Sequence, residues 1–274
     1  MILFPNAKIN LGLNITQRRS DGYHEIETLF YPIGCKDIIE VVRCEQADRS
    51  PKVRLFTTGI EIDAPEERNL MVRAYHLLDS HYRLPACDLH LWKIIPFGAG
   101  LGGGSADAAF TLIALNRFFD LGIDNAELAQ MAQELGADCP FFVYNTPLLA
   151  TGIGTTFTPT TLSLEGYHLC LVKPAVNIST AEAYANVTPQ TPAQPLAELL
   201  STPIEKWRSS VINQFEESLF PSYPLLAEIK EELYRCGALY ASMSGSGSSL
   251  YGIFREPTQR ADHFAPHFVW EGKL

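Results

Sequence analysis

From Asn6 to Ile15 the chain alternates, with Ile9, Leu11, Leu13 and Ile15 on one side of an extended backbone and Lys8, Asn10 and Asn14 on the other. Successive side chains of a strand point to opposite faces, so this period predicts a half-buried strand whose polar side faces a cleft or solvent. DIIEVVRC (37 to 44), KVRLFTT (52 to 58) and CDLHLWKII (87 to 95) repeat the two-residue, β-branched pattern between Pro, Gly and Asp punctuation and are predicted strands. NLMVRAYHLLDSHY (69 to 82) instead spaces Leu70, Ala74, Leu77 and Leu78 at helical intervals. A second helix is predicted to begin near Ser105, to bury Ala108, Ala109, Leu112, Ile113 and Leu115, and to end at Phe119. A third covers NAELAQMAQELG (125 to 136), where Gly136 suits a C-cap.

Near residue 150 the character changes. TGIGTTFTPTTLSLEG has the composition of connecting segments, and the strand YHLCLVKP (167 to 174) follows it. A lobe boundary is placed there, giving 1–150 and 151–274. TPQTPAQPLAELLSTP (188 to 203) carries four prolines and predicts a loop with one short helix. Helices are predicted at about 205 to 219 and 224 to 236, then two strands across the glycine-serine loop of GALYASMSGSGSSLYGIF. Strands and helices mix without regular βαβ alternation, which favours an α+β fold.

At 274 residues the chain is long enough for a substantial core in one or two domains. The 21 Lys and Arg against 31 Asp and Glu give a net charge of -10, with no charge block beyond the acidic EIDAPEE at 61 to 67, so no nucleic-acid partner is expected. Six cysteines without a CxxC pair, and the start MILFPNAK without a cleavage site, lead to an expectation of reduced thiols in a cytoplasmic protein. No apolar run approaches the roughly 18 residues of a membrane span, so no membrane association is expected.

The chemistry concentrates in IIPFGAGLGGGSADAA, where five glycines occupy the seven positions from Gly98 to Gly104 ahead of an apolar helix. Glycine tolerates positive φ and lets several N–H groups converge, and a helix N-terminus behind them completes an anion site. Two phosphate motifs almost fit. Gly98, Gly100 and Gly103 satisfy GxGxxG, but Asp120 and Asp124 follow the helix instead of ending a second strand as the dinucleotide fold requires. Gly98, Gly103 and Ser105 mimic a Walker A loop, yet Gly104 stands where its lysine belongs. Positive charge for a phosphate would then come from a metal, the helix dipole or a distant residue. A bare strand-to-helix turn would need one glycine, not five. Taken singly, Lys8 and Asn10 fit a solvated strand face, Asp138 fits an N-cap, and Tyr23 and His24 fit ordinary packing.

In order along the chain these segments resemble the GHMP kinase superfamily. The matching stretches are PNAKINLGLNITQRRSDGYHEIETLF (5 to 30), IPFGAGLGGGSADAA (95 to 109) and SMSGSGSSLYGIF (242 to 254). AKINLGL with DGYH, and LGADCPFF (135 to 142), resemble in particular the members that phosphorylate 4-diphosphocytidyl-2-C-methyl-D-erythritol. The resemblance spans nearly the whole chain and implies a two-lobed GHMP kinase fold, with an N-terminal ribosomal-protein-S5-domain-2-like lobe and a C-terminal α/β-plait-like lobe. It implies Asp138 as catalytic base and Lys8 as the lysine that favours its ionised form and stabilises charge at the acceptor. It implies an ATP loop of Pro96, Phe97, Gly98, Ala99, Gly100, Leu101, Gly102, Gly103, Gly104, Ser105 and Ala106, with Mg²⁺ carried by the nucleotide and the third motif packed nearby. Asn10, Tyr23 and His24 would bind the acceptor, His24 bonding to the cytosine and Tyr23 stacking on it, with Tyr184 a second aromatic over the ring. Ala106 replaces a serine common in the family, which leaves Ser105 as the hydroxyl at that end of the loop. NQFE (213 to 216) departs from the family's NDFE or NDLE and is given no catalytic role. The implied enzyme is a cytoplasmic monomer or weak homodimer in the non-mevalonate isoprenoid route. Alternatives are a homoserine- or mevalonate-type kinase and a silent nucleotide-binding protein.

Overall fold

The computed structural model describes residues 1–274 apart from 47–48, 62–64 and 258; part of the acidic 61 to 67 patch thus lies outside the described residues. In chain order the strands are β1 (Ile2–Leu3), β2 (Asn6–Arg18), β3 (His24–Lys36), β4 (Ile38–Arg43), β5 (Val53–Gly59), β6 (Cys87–Lys93), β7 (Leu148–Thr151), β8 (Thr156–Pro159), β9 (His168–Lys173), β10 (Tyr240–Met243), β11 (Leu250–Phe254) and β12 (Phe268–Lys273). The α-helices are α1 (Leu70–Tyr82), α2 (Gly103–Phe118), α3 (Asn125–Leu135), α4 (Cys139–Tyr144), α5 (Thr180–Ala185), α6 (Leu196–Leu200), α7 (Phe215–Leu219) and α8 (Pro224–Arg235). This is the α+β mixture that the pattern predicts. Two compact units result, the first from Met1–Ala7, Cys35–Phe97 and Gly102–Thr146, the second from Lys8–Gly34, Gly98–Leu101 and Pro147–Leu274. Residues 8 to 34 and 98 to 101 therefore pack with the C-terminal part of the chain.

In the first unit a sheet of order β1-β4-β6-β5 joins β5 and β6 in parallel and the other neighbours antiparallel. Two of its helices start where a polar side chain satisfies a free N–H group. Asn69 accepts from Met71 N at the head of α1, which buries Met71, Val72, Ala74, Tyr75 and Leu78. Asp124 accepts from Glu127 N at the head of α3, which gives that aspartate a structural task and removes it further from a ribose-binding role. Gly136 is the C-cap of α3 as expected, its N–H donating to Ala132 O, with an extended backbone at φ 170.

The second unit holds two sheets, β2-β3-β7-β8 and β10-β11-β9-β12. Its core gathers Leu13, Ile15, Val172, Phe215, Leu226, Ile229, Leu233, Met243 and Leu250. Three sequence expectations are corrected here. The strand predicted to be half-buried is buried on both faces from Asn6 to Asn14, because its polar side chains bond to one another. The threonine-rich connection near residue 150 contains the β7–β8 hairpin. The helix expected at 205 to 219 is broken into a 3₁₀ turn, Ile204–Ser209, and α7, because the intervening backbone pairs with β2: Leu13 N donates to Ile212 O and Gln214 N to Leu13 O.

Candidate active site

Helix α2 begins at Gly103, two residues before the expected Ser105, with Gly102 at its N-cap in a left-handed backbone of φ 69. Ala108, Ala109, Leu112 and Leu115 are buried as predicted, whereas Ile113 is only half-buried and Ala106, Asp107, Thr111 and Ala114 join the buried face. The lining of the loop separates two reasons for glycine. At Gly100, with φ 75, an added Cβ would stand 1.9 Å from the carbonyl oxygen of Ser244, so the protein's own backbone forbids a side chain. At Gly104 the nearest atom to an added Cβ is Leu70 Cδ1 at 3.9 Å, so nothing in the protein demands glycine there. Open backbone on the first turn of a 16-residue helix is what an approaching anion requires. Phe97 is 65% exposed and Ser105 half-buried.

Beneath Gly103 lies an ionic cluster that alternation alone did not reveal. Lys93 Nζ donates to Asp37 Oδ2 at 2.5 Å and to Asp107 Oδ2 at 2.7 Å, and all three side chains are buried. Asp37 Oδ1 also accepts from the N–H groups of Ile94 and Ile95. An added Cβ on Gly103 would sit 3.0 Å from Lys93 Nζ. Burial alone would lower the Lys93 pKa, but Asp107 and Asp37 outweigh it and hold the ammonium above its ordinary value. Burial, with Asp37 adding to it, pushes the Asp107 carboxyl up to about 7 despite Lys93. Two carboxylates on one ammonium leave an excess negative charge, and Asp107 Oδ1 is buried without a hydrogen-bond partner.

Asp138 lies in the same unit, half-buried at the N-cap position of α4. Its backbone is right-handed helical and its side chain makes no capping bond, so the cap role open to it in sequence is not the one it takes. The neighbouring Cys139 thiol is pushed up to about 12 by burial and is unsuited to nucleophilic chemistry.

Lys8 and Asn10 come together in the second unit. Both are buried, Lys8 Nζ donates to Asn10 Oδ1 at 2.7 Å, and Asn10 Nδ2 donates to Thr28 Oγ1 at 2.9 Å. The ammonium also lies 4.8 Å over the Phe30 ring. Lys8 N donates to Leu101 O at 2.9 Å, which ties the start of this strand to the glycine loop. At the start of β3, His24 lies against Tyr184, with ring centroids 4.7 Å apart and planes 20° from parallel. Tyr23 is 61% exposed. Burial, then Arg18, lowers the His24 pKa, so the imidazole is neutral near pH 7 and offers one donor and one acceptor.

NQFE, which sequence reasoning passed over, supports this region through Asn213 and Glu216, each buried and bonded to the third motif.

These units and motifs define a small-molecule kinase of one superfamily. The GHMP kinases N terminal domain matches residues 69–146 and the GHMP kinases C terminal domain residues 196–264, and the chain belongs to the GHMP kinases. A protein of Parabacteroides distasonis named 4-diphosphocytidyl-2-C-methyl-D-erythritol kinase is 52% identical over 277 residues, covering 100% of both chains. One of the same name from Bacteroides thetaiotaomicron is 51% identical, again over 100% of both. The crystal structure of a 4-(cytidine 5'-diphospho)-2C-methyl-D-erythritol kinase superposes with a TM-score of 0.84 at 31% identity, covering 100% of this chain and 99% of the other.

Proposed function

We propose that the chain transfers the γ-phosphoryl group of ATP to the 2-hydroxyl of 4-diphosphocytidyl-2-C-methyl-D-erythritol, giving the 2-phosphate and ADP on the non-mevalonate route to isoprenoid precursors. The observation that carries this is end-to-end similarity, at 52% identity, to a protein of that name. The His24–Tyr184 pair supports it, since neither homoserine nor mevalonate has a planar base for such rings to receive. The enzyme would work in the cytoplasm as a monomer or weak homodimer, without nucleic acid or membrane. Among the described residues no helix is long and apolar enough to cross a membrane.

Phosphoryl transfer asks mainly for positioning and charge neutralisation. The N–H groups at the start of α2, with the open backbone at Gly104, would receive phosphate oxygens. The oxygen donors nearby, the Ser105 hydroxyl and the Asp138 carboxylate, are of the hard type that suits Mg²⁺. Mg²⁺ entering with the nucleotide would neutralise phosphate charge. Asp138 would accept the proton of a tertiary hydroxyl that is a poor nucleophile at neutral pH, and Lys8 would stabilise negative charge at the acceptor. Asn10, which accepts from Lys8 Nζ, would hold that lysine in place and bind the acceptor. His24 would bond to the cytosine edge, with Tyr184 and Tyr23 offering aromatic surface.

The test is ADP release with Mg-ATP and three acceptors: the cytidyl compound, homoserine and mevalonate. Turnover with the first alone is expected. Turnover with either of the others instead would transfer the chain to another branch of the superfamily, and none with any would favour a silent nucleotide-binding protein.

A further inference from the structure

The four residues of NQFE divide their contacts between two neighbourhoods of the second unit. Asn213 is 2% exposed and its Nδ2 donates to the carbonyls of Met243 and Gly245, both at 2.8 Å. Its Oδ1 accepts from Phe215 N, which fixes the orientation of the amide. Glu216 Oε1 accepts from Ser242 Oγ at 3.0 Å and Met243 N at 2.7 Å, while Oε2 pairs with Lys230. The loop held in this way grips the first half of the glycine loop. Ser244 Oγ donates to Gly100 O at 2.8 Å, Ser249 N donates to Ala99 O at 3.2 Å, and the Ser244 carbonyl fills the space a side chain on Gly100 would need.

The two middle residues contact the other neighbourhood. Gln214 Oε1 accepts from Ile15 N and its Nε2 donates to Thr188 O, each at 2.7 Å. Phe215 presents its ring at 89° to Tyr184, with centroids 4.8 Å apart, and Tyr184 stacks in turn on His24. Side chains packed this closely cannot shift without moving their neighbours.

We infer that residues 213 to 216 are a positioning segment for both substrates, Asn213 and Glu216 setting the nucleotide loop and Gln214 and Phe215 setting the aromatic pair for the acceptor base. This rests on the two subsites assigned above. The segment touches neither substrate in this account and acts through the loops it holds. Asn213→Asp keeps the size of the side chain but turns a two-donor amide into an acceptor facing two carbonyls, which drives the 244 to 249 loop from its place. Phe215→Leu removes the ring edge under Tyr184 and leaves the nucleotide side intact.

The experiment is steady-state kinetics with each substrate varied in turn, on wild type, Asn213→Asp, Ser244→Ala and Phe215→Leu, with ATP affinity also measured directly by calorimetry. Asn213→Asp should raise the KM and Kd for ATP about tenfold, as expected for losing buried hydrogen bonds, with the KM of the cytidyl substrate unchanged. Ser244→Ala should move the same constant by a smaller factor, and it carries the test if Asn213→Asp fails to fold. Phe215→Leu should raise the KM of the cytidyl substrate roughly threefold, in line with the loss of an aromatic pair, and leave ATP unaffected. Equal effects on both substrates from every variant, or none, would overturn the inference and leave the segment an ordinary part of the core. Failure of the wild type to use the cytidyl compound would instead strike the functional assignment, while the ATP affinities of Asn213→Asp and Ser244→Ala would still decide the nucleotide half.

Discussion

Gly103 lies over a buried ammonium shared by two carboxylates, whereas Gly100 lies against the Ser244 carbonyl, whose neighbours Met243 and Gly245 accept from the neutral amide of Asn213. The first support is a fully buried ionic cluster with an excess negative charge; the second is built mainly of amide and backbone dipoles, with the less buried Glu216–Lys230 pair behind them. A buried ion pair costs desolvation and collapses badly when one partner is lost, while neutral hydrogen bonds cost less to build and less to break. The Gly103 end of the loop should therefore respond to pH and to charge deletion through stability, and the Gly100 half through substrate affinity.

The largest effect separating them is Lys93→Met. It leaves Asp37 and Asp107 buried without a cation and should destabilise the protein by about 3–5 kcal/mol, read from urea unfolding. A loss below about 1 kcal/mol would mean the cluster is hydrated and not the dry ionic support described here.

Next comes Asp107→Asn, compared with wild type across pH. The folded-state pKa of Asp107 is raised from 3.8 to about 7, so between these values the folded protein binds more protons than the unfolded chain. The stability of wild type should then fall from this source as pH rises from near 4 to near 7, and stay level above. The Asn variant lacks that slope, and its stability relative to wild type should climb by up to about 4 kcal/mol over the same window. A parallel pair of curves would show that Asp107 titrates normally. The same comparison with Ser244→Ala in place, which adds no titrating group, should leave the Asp107 slope untouched, since that change acts on ATP affinity.

The smallest expected effect is on the acceptor side. Tyr184→Ala removes the ring that stacks on His24 and should raise the KM for the cytidyl substrate several-fold, corresponding to about 1 kcal/mol, with the KM for ATP unaltered.

How much of this the sequence disclosed depended on whether the pattern was local. Strands β4, β5 and β6 and helices α1, α2 and α3 were legible because a single period runs through each. β3 carries Pro32 and no steady alternation, and β7 and β8 lie in a threonine- and proline-rich stretch, so tertiary pairing rather than propensity makes them strands. The break between 205 and 219 comes from pairing with Leu13, some 200 residues away, which no local window contains. The glycine loop was legible because five glycines in seven positions have few structural explanations. Lys93 could have been caught: it continues the buried face of Cys87, Leu89 and Leu91, where a lysine needs a carboxylate partner. Which carboxylates those are, and that His24 stacks on a tyrosine 160 positions later, required the fold.

The central claim is that Asp138 serves the reaction and not its helix. The measurement that tests it most directly is single-turnover transfer of phosphate from labelled ATP to the cytidyl substrate by wild type and Asp138→Asn, with unfolding of both followed in urea. The account predicts a rate at least about 100-fold lower for the variant, the scale of losing a general base, with ATP binding intact and stability within about 0.5 kcal/mol. An undiminished rate would contradict it and remove Asp138 from the reaction, leaving it a structural residue at the start of α4.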